Sequence, residues 1–140
     1  MELDAAFDFV RPRHQGVLVT LRADGRPQLS NIVYALDSEG VARISVTETR
    51  AKTRNLRRDG RGSLYVPGDT FWSYVVVDGT ADLSPVAAAP DDPVADELTD
   101  LYRAVQGEHP DWEEFRSAMV EDRRLVVRLR LERAYGVLAR

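Results

Sequence analysis

The first two thirds of the chain carry short apolar, β-branched segments separated by turn residues. The segment 16–22 is of this kind, and an Ala-Asp-Gly-Arg turn at 23–26 leads into a second extended segment at 27–36. An Asp-Gly pair between two such segments is typical of a tight β-hairpin. The pattern therefore predicts a hairpin at the start of the fold.

Strict alternation of apolar and polar residues continues at 41–47 and predicts a half-buried strand. Ala42, Ile44 and Val46 share one face of this strand and are expected to point into the core. Further extended segments are predicted at 62–66, 72–77 and 79–83. Six short antiparallel strands imply a barrel.

The apolar spacing changes to a helical period after Pro85. Asp91 or Asp92 is expected to cap a helix with Pro93 in its first turn, and a second helix is expected to open at Pro110. The predicted inner faces are Val94, Leu98, Leu101, Tyr102 and Val105, then Trp112, Phe115 and Met119. Extended segments return at 125–131 and 134–138. The predicted architecture is mainly β, a small barrel with a flanking helical pair.

Length and composition bound the class of protein. The chain has 140 residues, of which 44% are hydrophobic, so one domain spanning 1–140 is expected. The absence of cysteine excludes disulfides and thiolate metal sites. No apolar run approaches the roughly 20 residues that cross a bilayer, so a cytoplasmic location is expected. His14 and His109 are far apart in sequence, which argues against a histidine-rich metal site.

The segment 50–61 is strongly basic within an otherwise acidic chain. It holds six of the nineteen lysine and arginine residues, including Lys52, whereas the whole chain has a net charge of −4. Such a cluster favours an anionic ligand. The segment 87–122 is rich in acidic residues and would repel an extended polyanion, so a compact anion is expected rather than a nucleic acid.

Several segments, in this order, resemble a known family: GVLVTLRADGRPQLSN at 16–31, RAKTRNLRRD at 50–59, WSY at 72–74, APDD at 89–92, GEHPDW at 107–112 and AYG at 134–136. They are similar to the split-barrel flavin and deazaflavin oxidoreductases, and most of all to the actinobacterial, pyridoxamine 5'-phosphate oxidase-like branch that depends on coenzyme F-420. The resemblance implies a six-stranded antiparallel split barrel of the FMN-binding type. It further implies a homodimer with two cofactor sites at the interface.

The basic segment is where the resemblance places the cofactor phosphate. A strand that ends at Thr47, followed by a turn carrying Arg50 and Lys52, offers backbone amides and opposite charge to a phosphate. The later arginines 54, 57, 58 and 61 exceed what one phosphate requires, and the anionic tail of F-420 would use some of them. The alternative is that they form a solvated face or pair with acidic helices.

The resemblance assigns the cofactor ring to the second strand and to the WSY segment. Alternation places Gln28 and Ser30 on one face of the strand and Asn31 on the other. Trp72 and Tyr74 are expected to reach the cofactor from the partner chain, although aromatic residues in strands more often serve the core or an interface. The full predicted cofactor-binding set is Gln28, Ser30, Asn31, Ser45, Thr47, Arg50, Lys52, Thr53, Asn55, Arg58, Trp72, Ser73 and Tyr74.

No catalytic acid or base and no metal ligand is predicted. Hydride transfer from a reduced deazaflavin requires mainly that two rings be positioned, so this absence is compatible with an oxidoreductase. The expected function is hydride transfer from F-420 to an unsaturated small molecule such as a quinone, enone, nitroaromatic or tetrapyrrole. An FMN-dependent enzyme of the pyridoxamine phosphate oxidase type and a non-catalytic F-420 carrier or sensor remain alternatives.

Overall fold

The fold is one antiparallel sheet with four helices around it. The computed structural model describes residues 1–139. The strands are β1 (Gln15–Leu21), β2 (Pro27–Val33), β3 (Ala35–Leu36), β4 (Val41–Thr47), β5 (Arg61–Pro67), β6 (Tyr74–Leu83) and β7 (Arg124–Val137). The helices are α1 (Leu3–Val10), α2 (Ala51–Arg58), α3 (Pro93–Gln106) and α4 (Trp112–Glu121). The strand order is β2-β1-β5-β6-β7-β4-β3.

The sheet curls into a barrel that remains open between β2 and β4. β2 forms one edge of the sheet, yet it lies against β4 near the other edge with no backbone ladder joining the two strands. Ala42, Ile44 and Val46 are 0%, 1% and 1% exposed, which confirms their predicted inward orientation. Because β2 and β4 approach without pairing, the predicted split barrel is confirmed.

Among the described residues the sheet has seven strands, whereas the resemblance implies a six-stranded barrel. The additional strand, β3, has two residues and follows Tyr34, which interrupts the predicted segment 27–36. The Tyr34 side chain is fully buried and its hydroxyl donates to the Val10 carbonyl at 2.7 Å. The Tyr34 amide still donates to the His14 carbonyl at 2.9 Å, and the regular β2 ladder ends at Val33 as the Tyr34 side chain turns inward toward α1.

Two pairs of predicted strands are single strands in the structure. The segments 72–77 and 79–83 form β6, with an irregularity in its pairing with β7 between Asp78 and Gly79. The segments 125–131 and 134–138 likewise join as β7, which pairs with both β4 and β6. The break in the apolar pattern marks a β-bulge and not the end of a strand. Only the pairing with the neighbouring strands distinguishes the two cases.

The helix α1 was not predicted. It has eight residues and no side-chain N-cap, so its local signals are weak. Ala6 and Val10 are fully buried and Phe9 is 9% exposed against the barrel. Tertiary packing therefore stabilises a helix whose sequence alone is marginal.

The predicted helical pair is confirmed as α3 and α4. Asp92 caps α3 by accepting from the Ala95 amide at 2.8 Å, and Asp111 caps α4 through the Glu114 amide at 3.1 Å. Phe115 and Val126 belong to the apolar cluster between this pair and the sheet. Within residues 1–139, no helix has both the length and the apolar character needed to cross a bilayer.

Candidate functional site

The helix α2 lies beside the opening between β2 and β4. Leu56 is 3% exposed, and the Thr53 hydroxyl donates to the Thr47 carbonyl at 2.7 Å. Asn55 donates through Nδ2 to the Thr20 hydroxyl at 3.1 Å. Thr53 and Asn55, both predicted to bind the cofactor, are buried and engaged in these contacts. They therefore fix α2 on the barrel.

The N-terminus of α2 has the properties of an anion site. Its N-cap residue, Arg50, makes no side-chain cap, and the first turn contains no acidic residue. Among the described residues, the amides of Ala51 and Lys52 have no hydrogen-bond partner. The positive end of a helix dipole repels nearby cations, so Arg50 and Lys52 at this end lower the stability of the empty protein. A bound anion would interact favourably with both cations and with the helix N-terminus.

Lys52 lies in a region of concentrated positive charge. Burial lowers the pKa of its ammonium, and the neighbouring Arg50 and Arg124 guanidinium groups lower it further. Arg124 pairs with Thr47 across β4 and β7, and its Nη1 lies 3.4 Å from the Ser45 carbonyl oxygen. Three cations, Arg50, Lys52 and Arg124, thus lie close to one another.

Arg124 was missed by the sequence analysis. It belongs to a different segment from the basic run, and only the β4–β7 register places it beside Lys52. Its local sequence signal was weak, since two adjacent arginines at the start of a strand are common at a solvent-exposed end.

The later arginines of the basic run are used within the chain. Arg57 pairs with Glu48 at 2.5 Å and Arg61 pairs with Asp59 at 2.7 Å. Hydrogen bonds from Arg61 lower the pKa of Asp59 to about 2. Two further arginines donate to backbone oxygens: Arg54 to Thr49 at 2.6 Å and Arg58 to Leu21 at 2.8 Å. The excess of positive charge available to a ligand is therefore smaller than the sequence indicates.

The predicted residues of β2 and β4 flank the opening. Gln28 and Ser30 are half-buried, whereas Asn31 is exposed on the opposite face, as the alternation predicts. The Gln28 side-chain oxygen already accepts from Arg22 Nε at 3.1 Å. Ser45 and Thr47 are partly accessible and lie on the same face of β4. Arg124 lies beside them on the neighbouring strand β7, where it pairs with Thr47. β4 thus places two short polar side chains, Ser45 and Thr47, next to Arg124.

The WSY segment lies far from this cluster within one chain. Tyr74 pairs with Val137, which is thirteen residues beyond Arg124 on β7. Thirteen residues correspond to about 40 Å of strand path. Trp72 is 65% exposed and Ser73 is 5% exposed in the loop before β6. Trp72 and Tyr74 join the cation cluster only if a second copy of the chain supplies them.

The cation cluster is partly buried, since Lys52 and Arg124 are half-buried and Arg50 is exposed. Pronounced grooves occur elsewhere, including one of about 390 Å³ lined by Ser63, Asp78 and Arg133 on the outer face of the sheet. The same outer face exposes large apolar side chains, with Leu29 at 61% and Tyr135 at 55%. This groove is not lined by Arg50, Lys52 or Arg124, so positive charge is the more specific guide to an anion site.

Proteins of known structure share this fold. The structure is similar to that of an F420 reductase, with 25% sequence identity and a TM-score of 0.67, over 91% of this chain and 92% of that chain. It is also similar to the conserved hypothetical protein Rv2991 from Mycobacterium tuberculosis, with 26% identity and a TM-score of 0.72, over 96% and 82% of the two chains.

The same fold occurs in HutZ, the heme storage protein from Vibrio cholerae, at 18% identity and a TM-score of 0.66, over 97% and 95% of the two chains. The fold alone therefore does not determine the chemistry. The family model of pyridoxamine 5'-phosphate oxidase matches residues 3–138, nearly the whole chain. The protein accordingly belongs to the pyridoxamine 5'-phosphate oxidase family.

Proposed function

We propose that this protein binds coenzyme F-420 at the N-terminus of α2 and, with the cofactor reduced, transfers hydride to an unsaturated small molecule. The proposal rests mainly on one observation: Arg50 and Lys52 lie close together, and neither has an acidic partner among the described residues. Similarity to an F420 reductase at 25% identity supports the choice of deazaflavin within the family.

The residues of the site fit an anionic cofactor. Arg50, Lys52 and the free α2 amides would hold the phosphate, and the polar side chains of Ser45 and Thr47 lie on the adjoining strand. Gln28, Ser30 or Asn31 of β2 would contact the edge of the ring. When bound, the cofactor would supply the hydride, and the residues around it would orient the acceptor and exclude water.

The site is completed in this proposal by a second copy of the chain. The outer sheet face combines exposed Leu29, Val33 and Tyr135 with the loop that presents Phe71 and Trp72, which are 82% and 65% exposed. Apolar surface of this kind on a barrel wall favours a two-fold interface. Trp72 and Tyr74 of the second copy would then line the cofactor, which accounts for their distance from Lys52 within one chain.

Two alternatives use the same residues. An FMN-dependent enzyme needs the same phosphate site, and family membership favours it as the second candidate. A non-catalytic F-420 carrier would bind the cofactor equally well and differ only in turnover.

Parallel titration with F-420 and FMN tests the cofactor. We expect F-420 to bind more tightly, with a difference that narrows as salt is added because the tail contacts are exposed. Equal or tighter binding of FMN at low salt would contradict the proposal.

Mixing the reduced complex with quinones, nitroaromatics, enones and tetrapyrroles then tests for turnover. Oxidation of bound F-420 by one of these classes supports the reductase. Binding without oxidation by any of them supports the carrier instead.

A further inference from the structure

The residues that link α4 to β7 lie directly beside the loop between β4 and α2, which leads to Arg50 and Lys52. The Glu48 amide donates to the Arg123 carbonyl at 3.1 Å, and Arg124 pairs with Thr47 in the ladder. Two arginines that follow an acidic helix in the sequence are thus held against the loop that leads into α2. Neither of them belongs to the basic run at 50–61.

The Arg124 side chain is poorly satisfied by the protein. Its Nη1 lies 3.4 Å and 3.5 Å from the two Ser45 oxygens, which is long for a charge-assisted bond, and its Nε is buried with no partner among the described residues. Arg128 on the same strand instead contacts Glu97 at 2.6 Å and Asp82 at 3.0 Å. A guanidinium left with such weak partners is suited to an external anion.

Arg123 adopts a conformation that arginine rarely occupies. Its φ of 56° makes it the one non-glycine residue with positive φ within the part of the chain that the structure describes. It follows the end of α4, a position where glycine or asparagine relieves the strain. The Arg123 side chain is exposed and has no partner among residues 1–139. Nothing in the packing of the chain requires an arginine here.

Neither Arg123 nor Arg124 forms an ion pair with a carboxylate among the described residues, although Glu121 and Asp122 precede them in the sequence. Glu48 is the acidic residue bonded to Arg123 through the backbone, and its carboxylate is held by Arg57 at 2.5 Å. Lys52 and Arg50 add further positive charge on the neighbouring helix. An anion with a single phosphate would leave part of this cluster without a counter-charge.

We infer that Arg123 and Arg124 form a second anion subsite, next to Arg50 and Lys52, that binds a further acidic group of an extended anionic cofactor. This inference rests on the proposed function for the identity of the cofactor, since F-420 carries carboxylates beyond its phosphate whereas FMN does not. The subsite would thus distinguish between the two cofactors. Its Arg124 guanidinium would also contribute to binding a simple polyanion such as inorganic pyrophosphate.

Three variants of the full chain test the subsite. Arg124→Gln removes the half-buried guanidinium, and Arg123→Gly removes the exposed one and relaxes the backbone. Arg130→Gln is the matched control, because Arg130 is an exposed arginine of β7 with no side-chain partner among the described residues. It lies six residues from Arg124, about 20 Å along the strand. Each variant is titrated with inorganic pyrophosphate, FMN and F-420, and its thermal midpoint is measured.

We expect Arg124→Gln to lower the affinity for both F-420 and pyrophosphate by about tenfold or more, which is the effect of losing one charge-assisted hydrogen bond. Arg123→Gly should weaken F-420 by about threefold or more, affect FMN less, and leave the thermal midpoint unchanged or raised. The affinities of Arg130→Gln for all three ligands should stay within about twofold of those of the wild type.

The outcomes separate this inference from the proposed function. If the wild type binds F-420 but the Arg123 and Arg124 variants match the Arg130 control, the subsite is refuted and the function stands. If pyrophosphate binding depends on Arg124 while neither F-420 nor FMN binds, the anion subsite stands and the function fails. If Arg124→Gln unfolds, the exposed Arg123→Gly variant decides: equal losses for F-420 and FMN would refute the subsite.

Discussion

Replacement of Lys52 by alanine separates a ligand-binding role from a structural one. Lys52 has no acidic partner among the described residues and lies near Arg50 and Arg124. We expect Lys52→Ala to weaken F-420 binding by about 1.5 to 3 kcal/mol, the scale of one hydrogen bond to a charged group. The same change should leave the thermal stability of the cofactor-free protein unchanged or raised, because like-charge repulsion is relieved.

The pH dependence of this stability effect has a defined sign. Burial and two nearby cations lower the pKa of Lys52 in the folded state, so the unfolded chain binds its proton more readily. The charged Lys52 therefore lowers the free energy of unfolding by its full amount below the lowered pKa. This destabilisation disappears as pH rises toward the ordinary lysine pKa of about 10.4. Any stability advantage of Lys52→Ala should be largest near neutral pH and fade at alkaline pH.

Isothermal titration and thermal unfolding on the same samples provide the assay. Arg57→Ala is a matched control because it removes a cation from the same helix but breaks the ion pair with Glu48. That variant should lose about 0.2 to 1 kcal/mol of stability, as exposed pairs do, and retain F-420 affinity. Lower apo stability with unchanged binding in Lys52→Ala would refute the reasoning, since it would show Lys52 to be a structural residue.

Three further predictions concern the rest of the molecule. Glu97→Gln should lower the free energy of unfolding by about 1.5 to 3 kcal/mol at neutral pH, because hydrogen bonds from Arg128 and then Arg43 lower the pKa of Glu97. This stabilisation is complete above the unfolded glutamate pKa of about 4.3 and is lost as pH falls through the folded value, so denaturant curves for the two proteins should converge in acid; a constant difference would contradict it. Leu29→Glu, on the outer sheet face, should convert the proposed dimer into a folded monomer with weakened F-420 binding, measured by light scattering and titration. A wild-type monomer that binds F-420 normally would rule this out. Gly136→Ala should cost about 1 to 3 kcal/mol in denaturant unfolding, because its Cβ would collide with the Tyr74 carbonyl; an unchanged midpoint would count against that geometry.

Prediction from sequence succeeded where local patterns determine structure. The alternation at 41–47 fixed the inward face of β4, and the Asp-Gly turn joined β1 to β2. Asp92 with Pro93 marked the start of α3. The site was only partly predictable: Arg50 and Lys52 were identified from charge, whereas Arg124 depended on strand pairing. The roles of the predicted cofactor-binding residues remain predictions.

The sequence by itself determined the elements and the basic run, because side-chain periodicity and turn chemistry act within a few residues. Tertiary structure decided which cations remain available, because Arg57 and Arg61 have carboxylate partners while Arg124 reaches Lys52 only across the β4–β7 ladder. It likewise decided that α1 is a helix and that β2 and β4 stay unpaired. Contacts between distant segments depend on the curl of the whole sheet, which no local pattern encodes.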